Sequence, residues 1–262
     1  AFVIEANEKR DTIHYWIRDT TLVNQDTLRM DLTYHVTDTL GNLVLQTDSA
    51  IDIVPKVSYE KRMKEKAKEI EKWQKEQEKK KKKEEKYDSI YPVKALEPKF
   101  AVPSSMIPGD RIIVEMPTPL MKCDTSAVHL YSQIDSLWYD AECEFRPVKN
   151  SIRMYEIVAD WRLGVEYSLE IDSAAFVDIY GFASVAYKQG IKVRSMDDYA
   201  TLLMQLSGIN DTTVIVELLD KSDKAIKQVR AQDGNAEFFY LTPGSYYLRA
   251  FVDKNGNGRW GT

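Results

Sequence analysis

The sequence predicts a mainly β fold: tandem β-sandwiches with one long charged α-helix inserted between them. Two observations lead to this prediction. Short runs of alternating apolar and polar residues recur along the chain, separated by turn residues, as expected for half-buried strands. Residues 58–86 instead carry apolar side chains at spacings of three and four within dense charge, which is typical of a helix. The 262 residues suffice for two or three compact units of about 60–100 residues each.

The composition is that of a globular protein, with 44% hydrophobic residues, 29% charged residues and a net charge of −5. No apolar run reaches the ~18 residues of a transmembrane helix, so no membrane-spanning segment is predicted. The chain starts at Ala1 without a signal-like segment and stops at Thr262 inside a loop, so we expect a piece of a longer protein. Any targeting signal or lipid anchor would then lie upstream.

The two cysteines, Cys123 and Cys143, are too few for a disulfide scaffold. We interpret both as small buried hydrophobic residues, and a disulfide between neighbouring strands is the alternative. Neither cysteine has the CxxC spacing or the adjacent histidine of a metal or redox site.

Residues 1–56 are predicted to form a partial Ig-like β-sandwich. The clearest alternation in this unit places five apolar side chains on one strand face: Leu28, Met30, Leu32, Tyr34 and Val36. The Leu40-Gly41-Asn42 sequence then supplies a turn, and the next apolar residues return as a second strand.

Residues 57–88 are predicted to form a charged helical spacer. Ser58 is a suitable N-cap, and an apolar stripe runs through Tyr59, Met63, Ala67, Ile70 and Trp73. Residues 56–86 contain 14 basic and 8 acidic residues, which leaves a net −11 for the rest of the chain. We interpret the helix as solvent-exposed and supported by Glu–Lys pairs. A coiled-coil seam and an anionic contact through residues 79–83 are the alternatives.

Residues 89–195 are predicted to form an Ig-like β-sandwich, because short strands recur about every ten residues between polar turns. One of these strands is expected to cover residues 137–145. Trp161 is expected to enter the core. Residues 196–262 are predicted to form a smaller sandwich with turns at residues 221–224 and 233–235.

The chain ends in a strand and a loop rich in side-chain oxygens. Alternation places Arg249, Phe251 and Asp253 on the same strand face. Asp253, Asn255 and Asn257 then occupy every second position before a glycine, which is the first half of an oxygen cage for a hard cation such as Ca²⁺. The alternative is an Asn/Gly turn that binds nothing.

Several segments resemble known envelope proteins. Residues 104–112 followed by 116–120 resemble the bacterial Ig-like domain of the S-layer (SbsA) type, and residues 171–181 resemble the end of that domain. Residues 241–260 resemble the tail of Ig-like domain proteins of the Bacteroidetes cell envelope, which is similar to prealbumin-like or Cna-B-type sandwiches. The resemblance implies a non-catalytic, extracytoplasmic protein, often a lipoprotein. That family commonly continues Trp-Asp-Thr-Gly, whereas Gly261 follows Trp260 here, which removes one carboxylate from the calcium cage.

These observations favour a structural or binding protein of the cell envelope whose partner is a protein or a cell-surface glycan. The alternative is a carbohydrate-binding module in which Trp16, Trp138 or Tyr247 stacks on sugar rings. An enzyme is not predicted, because no GxSxG, HExxH or P-loop motif occurs, and Asp140 with Glu142 lies on an expected wet face. Nucleic acid is not an expected partner, because the basic run lacks interleaved aromatic residues.

Overall fold

The computed structural model of the chain describes residues 2–7, 12–19, 21–208 and 213–260. The fold is mainly β, with 47% strand and 13% helix distributed over several sheets, which confirms the predicted fold class at that level. None of the helices in these described ranges is both long enough and apolar enough to cross a bilayer.

Two antiparallel hairpins form the N-terminal part of the fold. Their strands are β1 (Phe2–Ala6), β2 (Ile13–Ile17), β3 (Leu28–Thr37) and β4 (Leu43–Ile53). The turn between β3 and β4 lies where it was expected, because the Asp38 carboxylate accepts the backbone N–H groups of Leu40 and Asn42. Gly41 adopts a φ of 86°, which favours glycine. Before Leu96, no hydrophobic side chain of the described residues is buried, so neither hairpin has a core of its own.

One helix, α1 (Tyr59–Lys82), follows the hairpins. Its predicted cap is confirmed, because the Ser58 hydroxyl accepts the N–H of Lys61. The helix packs on the segment that follows it: Trp73 meets Tyr91 edge-to-face at 5.4 Å between ring centroids. Most other side chains of α1 are exposed.

Ten antiparallel strands follow the helix. They are β5 (Lys99–Ala101), β6 (Arg111–Glu115), β7 (Leu120–Cys123), β8 (Val128–Ile134), β9 (Leu137–Ala141), β10 (Cys143–Pro147), β11 (Met154–Ala159), β12 (Glu166–Ile171), β13 (Phe176–Asp178) and β14 (Tyr187–Lys192). They form two four-stranded sheets, in the orders β10-β11-β6-β5 and β14-β12-β8-β9, and a β13-β7 pair.

Both four-stranded sheets contribute to a single buried cluster, which we call the first core and which lies within residues 96–193. Val114 from β6 and Leu169 from β12 are among its fully buried members. Trp161 lies in this core as expected, at 1% exposure. Its indole N–H donates to the carbonyl of Asp110 at 2.9 Å, which satisfies the polar end of the ring.

Two expectations for this region are wrong. The single strand expected over residues 137–145 is two strands, β9 and β10, which belong to different sheets and are separated only by Glu142. Alternation continues across this junction, so the pattern does not mark it. The expected burial of both cysteines also fails, because Cys123 is exposed and Cys143 is half-buried on the first core. Both are free thiols, so the structure contains no disulfide between them.

Five strands form the C-terminal part. They are β15 (Ala200–Gln205), β16 (Val214–Leu219), β17 (Ala225–Arg230), β18 (Asn235–Leu241) and β19 (Tyr247–Val252). They pair as a β15-β18 sheet and a β17-β16-β19 sheet. A second core, contributed mainly by Val216, Leu218 and Phe238 and their neighbours, lies between them and shares no residue with the first core.

Polar contacts join these parts. At one junction the Arg153 guanidinium binds the Glu5 carboxylate at 2.8 Å and lies 5.3 Å from the Trp16 ring centroid. At the other, the Tyr199 hydroxyl donates to the carbonyl of Met106 at 3.2 Å and lies within 3.3 Å of the Ser105 hydroxyl.

Candidate metal site

The loop that follows β19, which we call the Asp253 loop (residues 253–260), continues directly from the β16-β19 ladder. Arg249 pairs with Glu217 and Phe251 pairs with Ile215 in this ladder. The N–H of Asp253 donates to the carbonyl of Thr213 at 2.8 Å and extends the pairing by one residue. The register therefore places Arg249, Phe251 and Asp253 on one face, as alternation predicted.

The Asp253 carboxylate is enclosed. The residue is 3% exposed and its side chain is 0% exposed. Its Oδ2 atom accepts the N–H of Gly258 at 3.1 Å and lies 3.6 Å from a guanidinium nitrogen of Arg230. Its Oδ1 atom is fully buried and has no hydrogen-bond partner. A buried carboxylate oxygen without a donor or a cation is unfavourable, so this atom requires an explanation.

The two asparagines close turns within the loop. The Oδ1 atom of Asn255 accepts the N–H of Asn257 at 3.2 Å, and the Oδ1 atom of Asn257 accepts the N–H of Arg259 at 2.8 Å. Gly256 and Gly258 have φ values of 71° and 70°, a conformation that side chains with a Cβ rarely adopt. The loop therefore has a defined Asx-turn geometry with three side-chain oxygens at alternate positions.

Contacts with the sheet hold the Asp253 loop over the outer face of β16 and β17. The side-chain amide of Gln228 donates to the carbonyl of Gly258 at 2.6 Å. The Arg249 guanidinium lies 4.9 Å from the Trp260 ring centroid and binds the buried Glu217 carboxylate at 2.6 Å. Sequence reasoning did not find Gln228 and Arg230, because strand pairing, not local spacing, brings β17 to this loop.

The ligand set of this loop restricts the ions it could hold. Within the described ranges, no group of three or more His, Cys, Asp or Glu side chains is placed to hold a metal. A cation here would depend on one carboxylate with amide and backbone oxygens, which suits hard ions such as Ca²⁺ and not Zn²⁺. Gly261 and Thr262, which continue the loop in sequence, lie outside the described residues.

The aromatic residues considered as sugar platforms have different environments. Trp16 is half-buried, its indole N–H donates to Glu5, and the Arg153 guanidinium covers one face of its ring. Trp138 and Tyr247 are 49% and 61% exposed. Trp138 lies on β9, which is the edge strand of its sheet.

A pocket of about 490 Å³ lies beside β9 and contains the polar residues Tyr139, Asp140, Glu142, Asp160 and Arg162. The sequence brought only Asp140 and Glu142 to attention. A weak signal for Asp160 and Arg162 existed, because residues that flank a buried Trp161 on an extended chain point away from the core. Asp160 forms an exposed ion pair with Arg162 at 3.1 Å, and Asp140 and Glu142 are also exposed, so none of these three carboxylates has the burial that raises the pKa of a general acid.

A comparison of the chain with known protein families, with curated proteins and with solved structures found no match. The resemblance to envelope Ig-like proteins therefore stays an expectation.

Proposed function

We propose that this chain is a non-catalytic structural or binding protein of the cell envelope, built from tandem Ig-like modules. In this proposal, residues 89–195 and 196–262 are successive β-sandwiches and residues 57–88 are a helical spacer. The single observation that supports it is the presence of two buried cores that share no residue. Each core is formed by side chains from more than one sheet. Separate cores are the physical criterion for separate domains.

The junction contacts suit a load-bearing or positioning role. The Tyr199 hydroxyl reaches across to Met106, and Lys227 lies close enough to Asp110 for the two charges to interact. Burial lowers the pKa of Lys227, and the Asp110 carboxylate opposes that effect. Such contacts favour a fixed angle between modules over a freely jointed chain.

The partner in this proposal is a protein or a cell-surface glycan, and the location is extracytoplasmic, with a lipid anchor upstream of Ala1. The sequence resemblance is the support for this part. The test is fractionation of the source cells with an antibody raised against residues 89–262, followed by cross-linking. Recovery in the envelope fraction with a reproducible cross-linked partner would support the proposal. Recovery in the cytosolic fraction would overturn it.

The second candidate function is carbohydrate binding, which is favoured by the exposed Trp138 on the edge strand β9, the strand that also contributes Tyr139 and Asp140 to the pocket. An exposed indole can stack on a sugar ring while nearby polar groups bind its hydroxyls. The test is glycan-array binding by the full chain and by Trp138→Ala, with Phe239→Ala as a matched control because Phe239 is 47% exposed on β18. Loss of signal in Trp138→Ala alone would support this function. Silence of the unmodified chain across the array would reject it.

A further inference from the structure

We propose that the Asp253 loop binds a calcium ion, with the Asp253 carboxylate as its charged ligand, and that the ion fixes the loop to the β17-β16-β19 sheet. This inference does not depend on the proposed function. A calcium site is compatible with a scaffold, with a glycan-binding module and with a protein of another class.

The buried Oδ1 atom of Asp253 is the observation that points to a ligand. Two donors approach the other oxygen of this carboxylate, the N–H of Gly258 and the Arg230 guanidinium. Oδ1 has no partner and no contact with solvent. Because both oxygens are bonded to one carbon, Oδ1 lies at the same enclosed position, where a small cation would satisfy it and water does not reach it.

The surrounding loop has the chemistry of a calcium site. Asp253, Asn255 and Asn257 occupy positions 1, 3 and 5 of the D-x-N-x-N-G pattern, with Gly258 at position 6. The φ of 70° at Gly258 provides the sharp turn that this position requires, and its N–H holds the Asp253 carboxylate. The backbone carbonyl of Arg259 would be the next ligand in such a loop. With a single carboxylate, the expected Kd is on the order of 10⁻⁴–10⁻³ M.

Arg230 is the internal competitor of the ion. Its guanidinium lies 3.6 Å from Oδ2, and its side chain is 57% exposed, so it can leave the carboxylate at little steric cost. Two explanations of the buried Asp253 therefore predict opposite results. If Arg230 is the only cation that the carboxylate uses, its removal abolishes the pairing and leaves calcium without effect. If calcium binds, removal of Arg230 removes a competing charge and tightens binding.

The first experiment is thermal unfolding of the full chain in EDTA, in 10 mM CaCl₂ and in 10 mM MgCl₂. For a Kd of about 1 mM, 10 mM calcium raises the ratio of folded to unfolded protein about elevenfold. For a unit of 60–100 residues this corresponds to a rise in Tm of about 6–11 °C. Asp253→Asn should lose this shift, whereas Asp233→Asn, an aspartate in the turn between β17 and β18, should keep it.

The second experiment follows terbium luminescence sensitised by Trp260 in the loop, with displacement of terbium by calcium. Arg230→Gln should lower the terbium concentration for half-maximal luminescence by a factor of about 3–10, the effect of removing a like charge near the site. The comparison of Arg230→Gln with the unmodified chain remains decisive if Asp253→Asn fails to fold. Equal Tm values in EDTA and calcium, an equal shift in magnesium, or no change in Arg230→Gln would each overturn the proposal.

Discussion

The separation of the two cores makes a quantitative prediction for a matched pair of substitutions, Val114→Ala and Val216→Ala. Both valines are 0% exposed. Both lie on strands that pair on two sides, β6 between β11 and β5, and β16 between β17 and β19. Each substitution removes the same two methyl groups from a comparable environment, but each affects a different core.

The expected cost is the same for the two variants. Two buried methyl groups contribute about 1.6 kcal/mol of transfer free energy, and an incompletely relaxed cavity brings the loss to about 2 kcal/mol. In a unit of 60–100 residues, 1 kcal/mol shifts Tm by about 4–8 °C. Each variant should therefore lower the Tm of its own unit by about 8–16 °C.

Differential scanning calorimetry measures this effect directly. Val114→Ala should lower one transition and Val216→Ala another, while each leaves the second transition in place. Val185→Ala is the surface control, because Val185 is 57% exposed and its truncation should change the free energy of unfolding by less than about 0.5 kcal/mol. A single transition that both core variants lower equally would refute the assignment of separate cores to separate folding units.

Three further substitutions test individual contacts. Ser58→Ala removes the N-cap of α1 and should cost about 1 kcal/mol of helix stability, seen as reduced helical circular dichroism on heating. Arg249→Met leaves the buried Glu217 carboxylate without its partner and should lower the free energy of unfolding in urea by about 3–5 kcal/mol; a loss below 1 kcal/mol would contradict this. Glu156→Gln tests the ion pairs across β10, β11 and β6, where Arg146 and Arg111, each at 2.7 Å, hold the pKa of Glu156 below its usual value. The stabilisation from these ion pairs is present above the ordinary pKa near 4.5 and is lost as the pH falls through the lower pKa of Glu156 in the folded state. Wild type and variant should therefore differ in Tm at pH 7 and converge under acid. An unchanged difference in Tm at all pH values would contradict the pairing.

Local patterns predicted the features that depend on neighbouring residues. The mainly β class followed from alternation, and the Ser58 cap followed from a polar residue before a helical stripe. The common face of Arg249 and Asp253 followed from the two-residue period of a strand. The burial of Trp161 followed from its size and apolar surface. Each of these depends on chemistry within a few residues.

The features that sequence reasoning missed depend on distant pairing. The strand break at Glu142 leaves alternation intact on both sides, so only the choice of partner strands reveals it. The exposure of Cys123 follows from its place at the end of β7, which among the described strands pairs with β13 alone. The approach of Arg230 to Asp253 depends on β16 pairing with both β17 and β19, a register that composition does not encode.

The junction at Glu142 has a mechanical consequence for the two four-stranded sheets around the first core. Because β9 and β10 are consecutive along the backbone, peptide bonds connect the edges of the two four-stranded layers. Tension applied along β9 is transmitted to β10 through covalent bonds, and not only through the apolar interface between the two sheets. Because Glu142 alone spans only about 3.5 Å, the two sheets cannot separate at this edge unless β9 leaves β8 or β10 leaves β11.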